Sequence, residues 1–215
     1  MDTQESALNL EDAKKLIFSC QNINGIFWNL RSIKANEGEK FDDLKSLLDT
    51  YKYMDIICLC ETWLGVNEDK FFRIPGYQDK HVMRENQRGG GISVYVKDGI
   101  RILSCTCINK EVQIIAIKMK IKKVIINIIT VYNPNKDLIN LCLTELEEIL
   151  EDVGTSNSIL VGDFNINVAD QDSEHHEYEC TLATKGYNIL NTLTTRPASN
   201  AILDHLLTNL ISGRI

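Results

Sequence analysis

From residue 15 onward the chain is a succession of short apolar runs, each stopped by glycine, proline, asparagine or a charged pair. The run "KLIFSCQNI" (15–23) reads as a strand, and "DIICLC" (55–60) as a short buried one that ends at Glu61. Between them "EKFDDLKSLLDTY" places Phe41, Leu44, Leu48 and Tyr51 at helical spacing. After Pro75 and Gly76, strands are predicted at 77–84, 90–97, 100–107, 111–120 and 123–132, close enough in sequence to pair as antiparallel hairpins. Pro134 halts extension, and "KDLINLCLTELEEILEDVG" carries Leu138, Cys142, Leu146, Ile149 and Val153 on one stripe, closed by Gly154. "SILVG" (158–162) predicts a strand, "ADQDSEHHE" (169–177) a loop, "YECTLATKG" a helix and "AILDHLL" (201–207) a last strand. Many strands are apolar on both faces and helices are few. Two packed sheets with helices on their outer faces account for that pattern.

Composition narrows the class. With 215 residues, 44% of them hydrophobic, and three prolines, the chain can bury one sizeable core and is expected to form one domain, without internal repeat or linker. The longest apolar run, "VIINIITVY" (124–132), is far short of the roughly 20 residues that span a bilayer. The polar, acidic start "MDTQESALNLEDAKK" does not read as a secretory signal. Residues 1–14 are expected to be a polar extension of an intracellular, membrane-free protein. Seven cysteines, an odd number, sit mostly inside apolar runs, as reduced thiols do. Cys58/Cys60 and Cys105/Cys107 are Cys-x-Cys pairs whose spacing in a strand points both thiols to one face. Packing accounts for them better than zinc, whose usual spacing is wider.

A formal charge of −7 excludes a protein that grips nucleic acid mainly by neutralising phosphates. Lys118, Lys120, Lys122 and Lys123, and Arg84 with Arg88, are local basic patches that either contact a polyanion or charge the edges of solvated hairpins. "RGGG" (88–91) reads as a hairpin turn, with phosphate contact through its N–H groups as the alternative. The acidic "DQDSEHH" (170–176) reads as a solvated loop, with a second metal site as its alternative.

The candidate chemistry lies where the apolar runs stop. Asn22 and Asn24 follow "LIFSCQ", Glu61 follows "DIICLC", Tyr132 and Asn133 follow "VIINIITV", Asp163 and Asn165 follow "SILVG", and Asp204 interrupts "AILDHLL". Any one could be an ordinary turn residue. Five such events suggest convergence on one mouth, because strand ends deliver side chains to shared sites from a rigid scaffold.

The blocks "QNING" (21–25), "CETWL" (60–64), "RGGGISVYVK" (88–97), "TVYNPN" (130–135), "LVGDFNIN" (160–167) and "ASNAILDH" (198–205) resemble, in order and approximate spacing, the endonuclease/exonuclease/phosphatase superfamily. "ETWL", "VGDFNIN" and "TRPASNAILDH" look most like the endonuclease domain of non-LTR retrotransposons. The resemblance implies a DNase I-like four-layer α/β sandwich over residues 15–215 and a Mg²⁺-dependent phosphodiesterase, with Mn²⁺ as a substitute ion. It also implies a DNA-nicking endonuclease acting as a monomer, whose residence in the nucleus would follow from its DNA substrate, and a reverse-transcriptase domain downstream in the full-length ancestor.

The implied roles match what phosphodiester hydrolysis requires: a nucleophilic water, charge stabilisation on the equatorial oxygens and help for the leaving oxygen. Glu61 would hold the metal with its hard oxygens, and Asn24 would assist as a weaker, neutral ligand. Asp163 would orient or deprotonate the attacking water. Asn165 would donate its amide to a phosphate oxygen, Tyr132 its hydroxyl to the phosphate, and Asn22 its amide to the acidic and phosphate oxygens. Asp204 would orient a histidine that the family carries later, on a Ser-Asp-His motif.

This chain stops at "NLISGRI" before that motif. The domain is therefore expected to be incomplete at its C-terminus and its activity impaired, since a positioned acid/base supplies about 10²–10⁴ in rate. His205 adjoins Asp204 but would point to the opposite face of a strand. A phosphatase or phospholipase of the same superfamily, and a fold remnant that no longer turns over, are the alternative functions.

Overall fold

A computed structural model describes residues 15–20, 23–84, 89–170, 173–192 and 194–210. The first sheet is built from β1 (Lys15–Cys20), β2 (Ile23–Asn29), β3 (Ile56–Cys60), β4 (Tyr77–Val82) and β5 (Ile92–Lys97), in the order β1-β2-β3-β5-β4. The second contains β6 (Arg101–Asn109), β7 (Gln113–Ile121), β8 (Val124–Tyr132), β9 (Ser158–Asp163), β10 (Asn188–Ile189) and β11 (Asp204–Thr208), ordered β10-β11-β9-β8-β7-β6. Among the described residues, only β2–β3 and β8–β9 pair in parallel, each joined through a helix, the usual crossover for such a pair. These are α1 (Glu39–Thr50) and α2 (Ile139–Val153); α3 (Ser173–Thr184) follows β9.

Alternation along the central strands sorts side chains into three buried layers. Phe27, Cys58 and Val94 from the first sheet meet Ile115, Ile128 and Val161 from the second. On the other face of the first sheet Ile26, Ile57 and Leu59 lie beneath Phe41, Leu44 and Leu48 of α1. On the other face of the second, Ile129, Leu160 and Leu207 lie beneath Cys142 and Leu146 of α2 and Tyr178 of α3. The protein is thus a four-layer α/β sandwich of two mixed sheets with helices outside. Strands buried on both faces need no polar alternation, which is why their sequences read as continuous apolar runs. Among the described residues, no helix is long and apolar enough to cross a membrane.

The structure corrects several details. The run predicted as one strand over 15–23 is split between β1 and β2, which pair from Lys15↔Trp28 to Cys20↔Ile23. β2 escapes a pattern reading because Gly25 interrupts it; that glycine gives way to the Phe18 ring, which a Cβ would meet at 2.2 Å. α3 begins at Ser173, inside the segment expected to be a loop. The last strand starts at Asp204, since Ala201 is instead bridged to Arg196. Packing explains Cys58, Cys60 and Cys142, whose burial pushes Cys58 and Cys142 up to about 12, but Cys105 is half-buried and Cys107 and Cys180 are exposed.

Candidate active site

Strand direction decides what meets at one end of the sandwich. β2 and β3 run in parallel and finish together, with Asn29 paired to Cys60, so Glu61 emerges beside Asn29. β8 and β9 likewise finish together with Tyr132 paired to Asp163, and antiparallel β11 begins there, with Asp204 paired to Asp163. The two ends are joined across the sandwich: the Asn29 amide donates to Asp163 Oδ2 at 2.5 Å, and the Cys60 thiol donates to the Val131 carbonyl at 3.4 Å. Glu61, Tyr132, Asp163, Asn165 and Asp204 are therefore brought to a common end.

The backbone leaves the strands there in conformations that L-residues seldom adopt. Arg31, Ser32, Glu61, Trp63 and Asn165 have φ of 49°, 84°, 52°, 56° and 54°. Each costs on the order of 1–3 kcal/mol, which persists only where surrounding contacts fix it. Those contacts are visible. Ser32 and Ile33 N–H groups donate to the Glu61 and Thr62 carbonyls at 2.7 and 3.0 Å, and the Trp63 indole N–H donates to Glu61 Oε2 at 3.3 Å. The glycine turn closes on the same loop, with Thr62 N–H on Gly91 O and Trp63 N–H on Gly90 O. Asn165 is clamped by its amide donating to the Asn133 carbonyl at 2.7 Å and by its N–H donating to Asp163 Oδ1 at 3.2 Å. Asn133, in turn, donates its own amide to the Phe164 carbonyl at 2.8 Å.

Gly162 sets the depth of Asp163. A Cβ there would stand 2.0 Å from the Val131 carbonyl oxygen, so β8 and β9 approach closely only with glycine at this position. Asp163 and Asp204 are both buried, with 0% and 2% exposure. Burial pushes Asp163 well above the carboxylate range and the neighbouring Asp204 adds to it, while Arg196, with Nη2 at 3.7 Å, and the Asn165 N–H oppose the shift. Burial likewise raises Asp204 to about 7, against the Thr195 hydroxyl and Arg196 that favour its ionised form. The Thr195 Oγ1 also accepts the Asp204 N–H at 3.1 Å. Tyr132 is pushed up by burial and then by Glu61 and Asp163; the Arg84 guanidinium lies 5.6 Å from its ring centre.

At this end the buried oxygens Asn29 Oδ1, Thr62 Oγ1, Asn133 Oδ1 and Asp204 Oδ1 have no hydrogen-bond partner among the described residues. Glu61, Asp163 and Asp204 share this end with those unpaired oxygens, and hard oxygen donors are the chemistry that a small divalent cation takes. Three ligand atoms of His, Cys, Asp or Glu come within 4.8 Å of one another, among the described residues, only at Asp69, Asp79 and His81. That group is elsewhere, with His81 bonded to Asp79 and Ser93 and its ring 5.7 Å from Tyr95.

The remaining candidates are placed differently. Asn24 is at the far end of β2, with its N–H donating to Asp55 Oδ2, five positions and roughly 17 Å from Asn29. Its distance from Glu61 removes the geometric basis for a shared metal. Asn22 lies outside the described residues, as does Arg88. Lys118, Lys120, Lys122 and Lys123 surround the β7–β8 turn, whose opposite end carries the Gln113↔Tyr132 pair. They point the basic edge away from the acids. His205 does face away from Asp204, stacking on Phe164 at 5.0 Å and bonding the Tyr178 hydroxyl at 2.7 Å.

Asn29 is the polar residue that the sequence reading passed over. The signal was present, since "GIFWN" is another apolar run ending in asparagine, but it was hidden by the reading of "QNING" as the strand end. The arginines Arg31, Arg84 and Arg196 were also not singled out together, because their positions in sequence say nothing of their common neighbourhood.

Two stacked mixed sheets that present acids, amides and a tyrosine from their converging strand ends define a hydrolase scaffold of the nuclease and phosphatase type. The chain belongs to the endonuclease/exonuclease/phosphatase family, whose profile matches residues 22–209. Members of this family generally use divalent metal ions. The fold is similar to that of an AP endonuclease from Leishmania major, with TM-score 0.66 and 16% identity over 91% of this chain and 79% of that one. It is also similar to the human nocturnin catalytic domain bound to a sulfate anion, at 0.65 and 14% over 96% and 88%. The endonuclease domain of TRAS1, a telomere-specific non-LTR retrotransposon, gives 0.59 and 16% over 85% and 83%. No curated protein matches the chain.

Proposed function

We propose that the chain is a Mg²⁺-dependent phosphodiesterase that nicks DNA, of the kind carried by non-LTR retrotransposons. The observation that carries this reading is the cross-sandwich bond between Asn29 and Asp163, with Glu61 beside one partner and Asp204 beside the other. Glu61 would hold the metal, assisted by the unpaired oxygens of Asn29 and Asp204; when bound, the ion supplies charge stabilisation for a phosphate and its leaving oxygen.

The protein's own groups account for the rest. Asn29 and Asn165 both bear on Asp163, so its carboxyl is held in one orientation, and in its ionised form, which the Arg196 guanidinium and the Asn165 N–H favour, it can align a water and accept its proton. In this reading Asn29 has the role that the sequence assigned to Asn22. Tyr132 stays protonated at neutral pH and can donate its hydroxyl to a phosphate oxygen. Arg84 and Arg196 place positive charge at the mouth of an otherwise acidic protein, which lets a polyanion approach.

Turnover is expected to be slow. Among the described side chains, the imidazoles of His81, His176 and His205 are engaged at Asp79, Cys180 and Tyr178, away from Asp204. Supercoiled plasmid incubated with protein and Mg²⁺ should be nicked slowly, with activity lost on chelation and in Glu61→Ala. Cleavage of sphingomyelin or an inositol phosphate in preference to plasmid would replace DNA by a smaller phosphodiester. Nicking that survives both chelator and Glu61→Ala would refute the reading.

A further inference from the structure

Cys105 and Cys107 lie on β6, the edge strand of the second sheet, three strands from Asp163. They pair with Ile117 and Ile115 of β7 and point to the same face, and their sulfurs are 3.8 Å apart. Cys107 is exposed and Cys105 half-buried against the inner core. Their contrast is Cys58 and Cys60, the same Cys-x-Cys spacing sealed between the sheets.

We infer that Cys105 and Cys107 form a reactive dithiol, a modification site that hydroperoxides convert reversibly to an intramolecular disulfide. The Cys107 sulfur is accessible to a solute, and the neighbouring thiol is within reach to complete the bridge before a second oxidation. In the first step the Cys107 thiolate attacks one peroxide oxygen; the O–O bond breaks, the released alkoxide or hydroxide takes up a proton, and Cys107 becomes a sulfenic acid. In the second, Cys105 loses its proton and attacks the Cys107 sulfur; the S–S bond forms, the S–O bond breaks and water leaves with that proton. Two thiols and one hydroperoxide give a disulfide, an alcohol or water, and one water.

The environment favours this assignment of roles. The hydrogen bond from Cys105 lowers the Cys107 thiol to about 7, with Lys80 contributing in the same direction and partial burial opposing. Cys105 is raised correspondingly and retains the proton. Two steps along a strand span at most about 6.8 Å between Cα atoms, the upper end of what a disulfide bridges. The bulge between Ile102 and Ser104 lets an edge strand pucker toward that geometry. A bridge at this limit is readily reduced, so the modification reverses with thiol reductants.

Both cysteines fall in one tryptic fragment, residues 102–110, between Arg101 and Lys110. Reduced protein treated with hydrogen peroxide should yield this fragment lighter by two hydrogens, with full recovery on dithiothreitol. Cys105→Ser should instead accumulate a dimedone-trapped sulfenic acid at Cys107. Cys107→Ser should react about 3-fold more slowly at Cys105, since a greater thiolate fraction outweighs lower nucleophilicity near pH 7. A fragment that stays reduced while exposed Cys180 oxidises, or that goes to sulfinic acid without forming the bridge, overturns the proposal. This outcome is independent of plasmid nicking.

Discussion

Replacing Asp204 by asparagine tests whether the buried acids are held together at a cost that binding must repay. In the folded chain the Asp204 carboxyl titrates at about 7, against about 3.9 for an unperturbed aspartate. Between those values the folded state keeps a proton that the unfolded state has released, so stability falls as pH rises from about 4 and the loss is complete above about 7. Across about three pH units, at about 1.4 kcal/mol each, the loss reaches about 4 kcal/mol at pH 8. An asparagine side chain at this position would have no proton to lose. The advantage of Asp204→Asn over the native chain should therefore grow by about 3 kcal/mol between pH 5 and pH 8, since about two of those pH units lie in this interval. For a domain of this size that is about 6–12 °C in the difference of melting temperatures. Melts followed by circular dichroism at both pH values in the presence of a chelator measure it. Adding Mg²⁺ at pH 8 should raise the native chain's melting temperature more than that of the variant. A pH-independent difference between the two proteins, or a variant less stable than the native chain at pH 8 but not at pH 5, would refute the reasoning.

Other outcomes follow from individual contacts. Asn29→Ala should lower plasmid nicking at least about 10-fold and destabilise the chain by about 1–3 kcal/mol, the cost of leaving the buried Asp163 oxygen without its partner, measured by urea unfolding. Asn24→Ala, at the other end of β2, should leave nicking within about 2-fold of the native rate. Gly162→Ala should cost about 1–3 kcal/mol or more, since its methyl group would meet the Val131 carbonyl, and it should reduce nicking by displacing Asp163.

The sheets were legible because their apolar runs are long and end at recognisable breakers, as in "VIINIITVY" and "SILVGD". So were Glu61, Tyr132, Asp163, Asn165 and Asp204 as strand-end residues, although only the register shows that Tyr132, Asp163 and Asp204 stand side by side on β8, β9 and β11. Pattern failed at β2, where Gly25 breaks the run and a hairpin of two short strands looks like one. That reading left Asn29, which meets Asp163, unremarked and placed the expected amides at Asn22, outside the described residues, and at Asn24. Backbone strain at Glu61 and Asn165, and the arrival of Arg196 beside Asp163, depend on tertiary contacts and leave no local mark.

The central claim is that side chains from both sheets share one divalent cation at the end where Asn29 meets Asp163. Titrating the protein with Mn²⁺ and following the free ion by electron paramagnetic resonance tests it most directly. The native chain and Asp69→Asn should each bind an ion that Mg²⁺ displaces, and Glu61→Gln should lose it. Retention of the ion by Glu61→Gln together with its loss in Asp69→Asn would place the cation at the Asp69, Asp79 and His81 group and contradict the account.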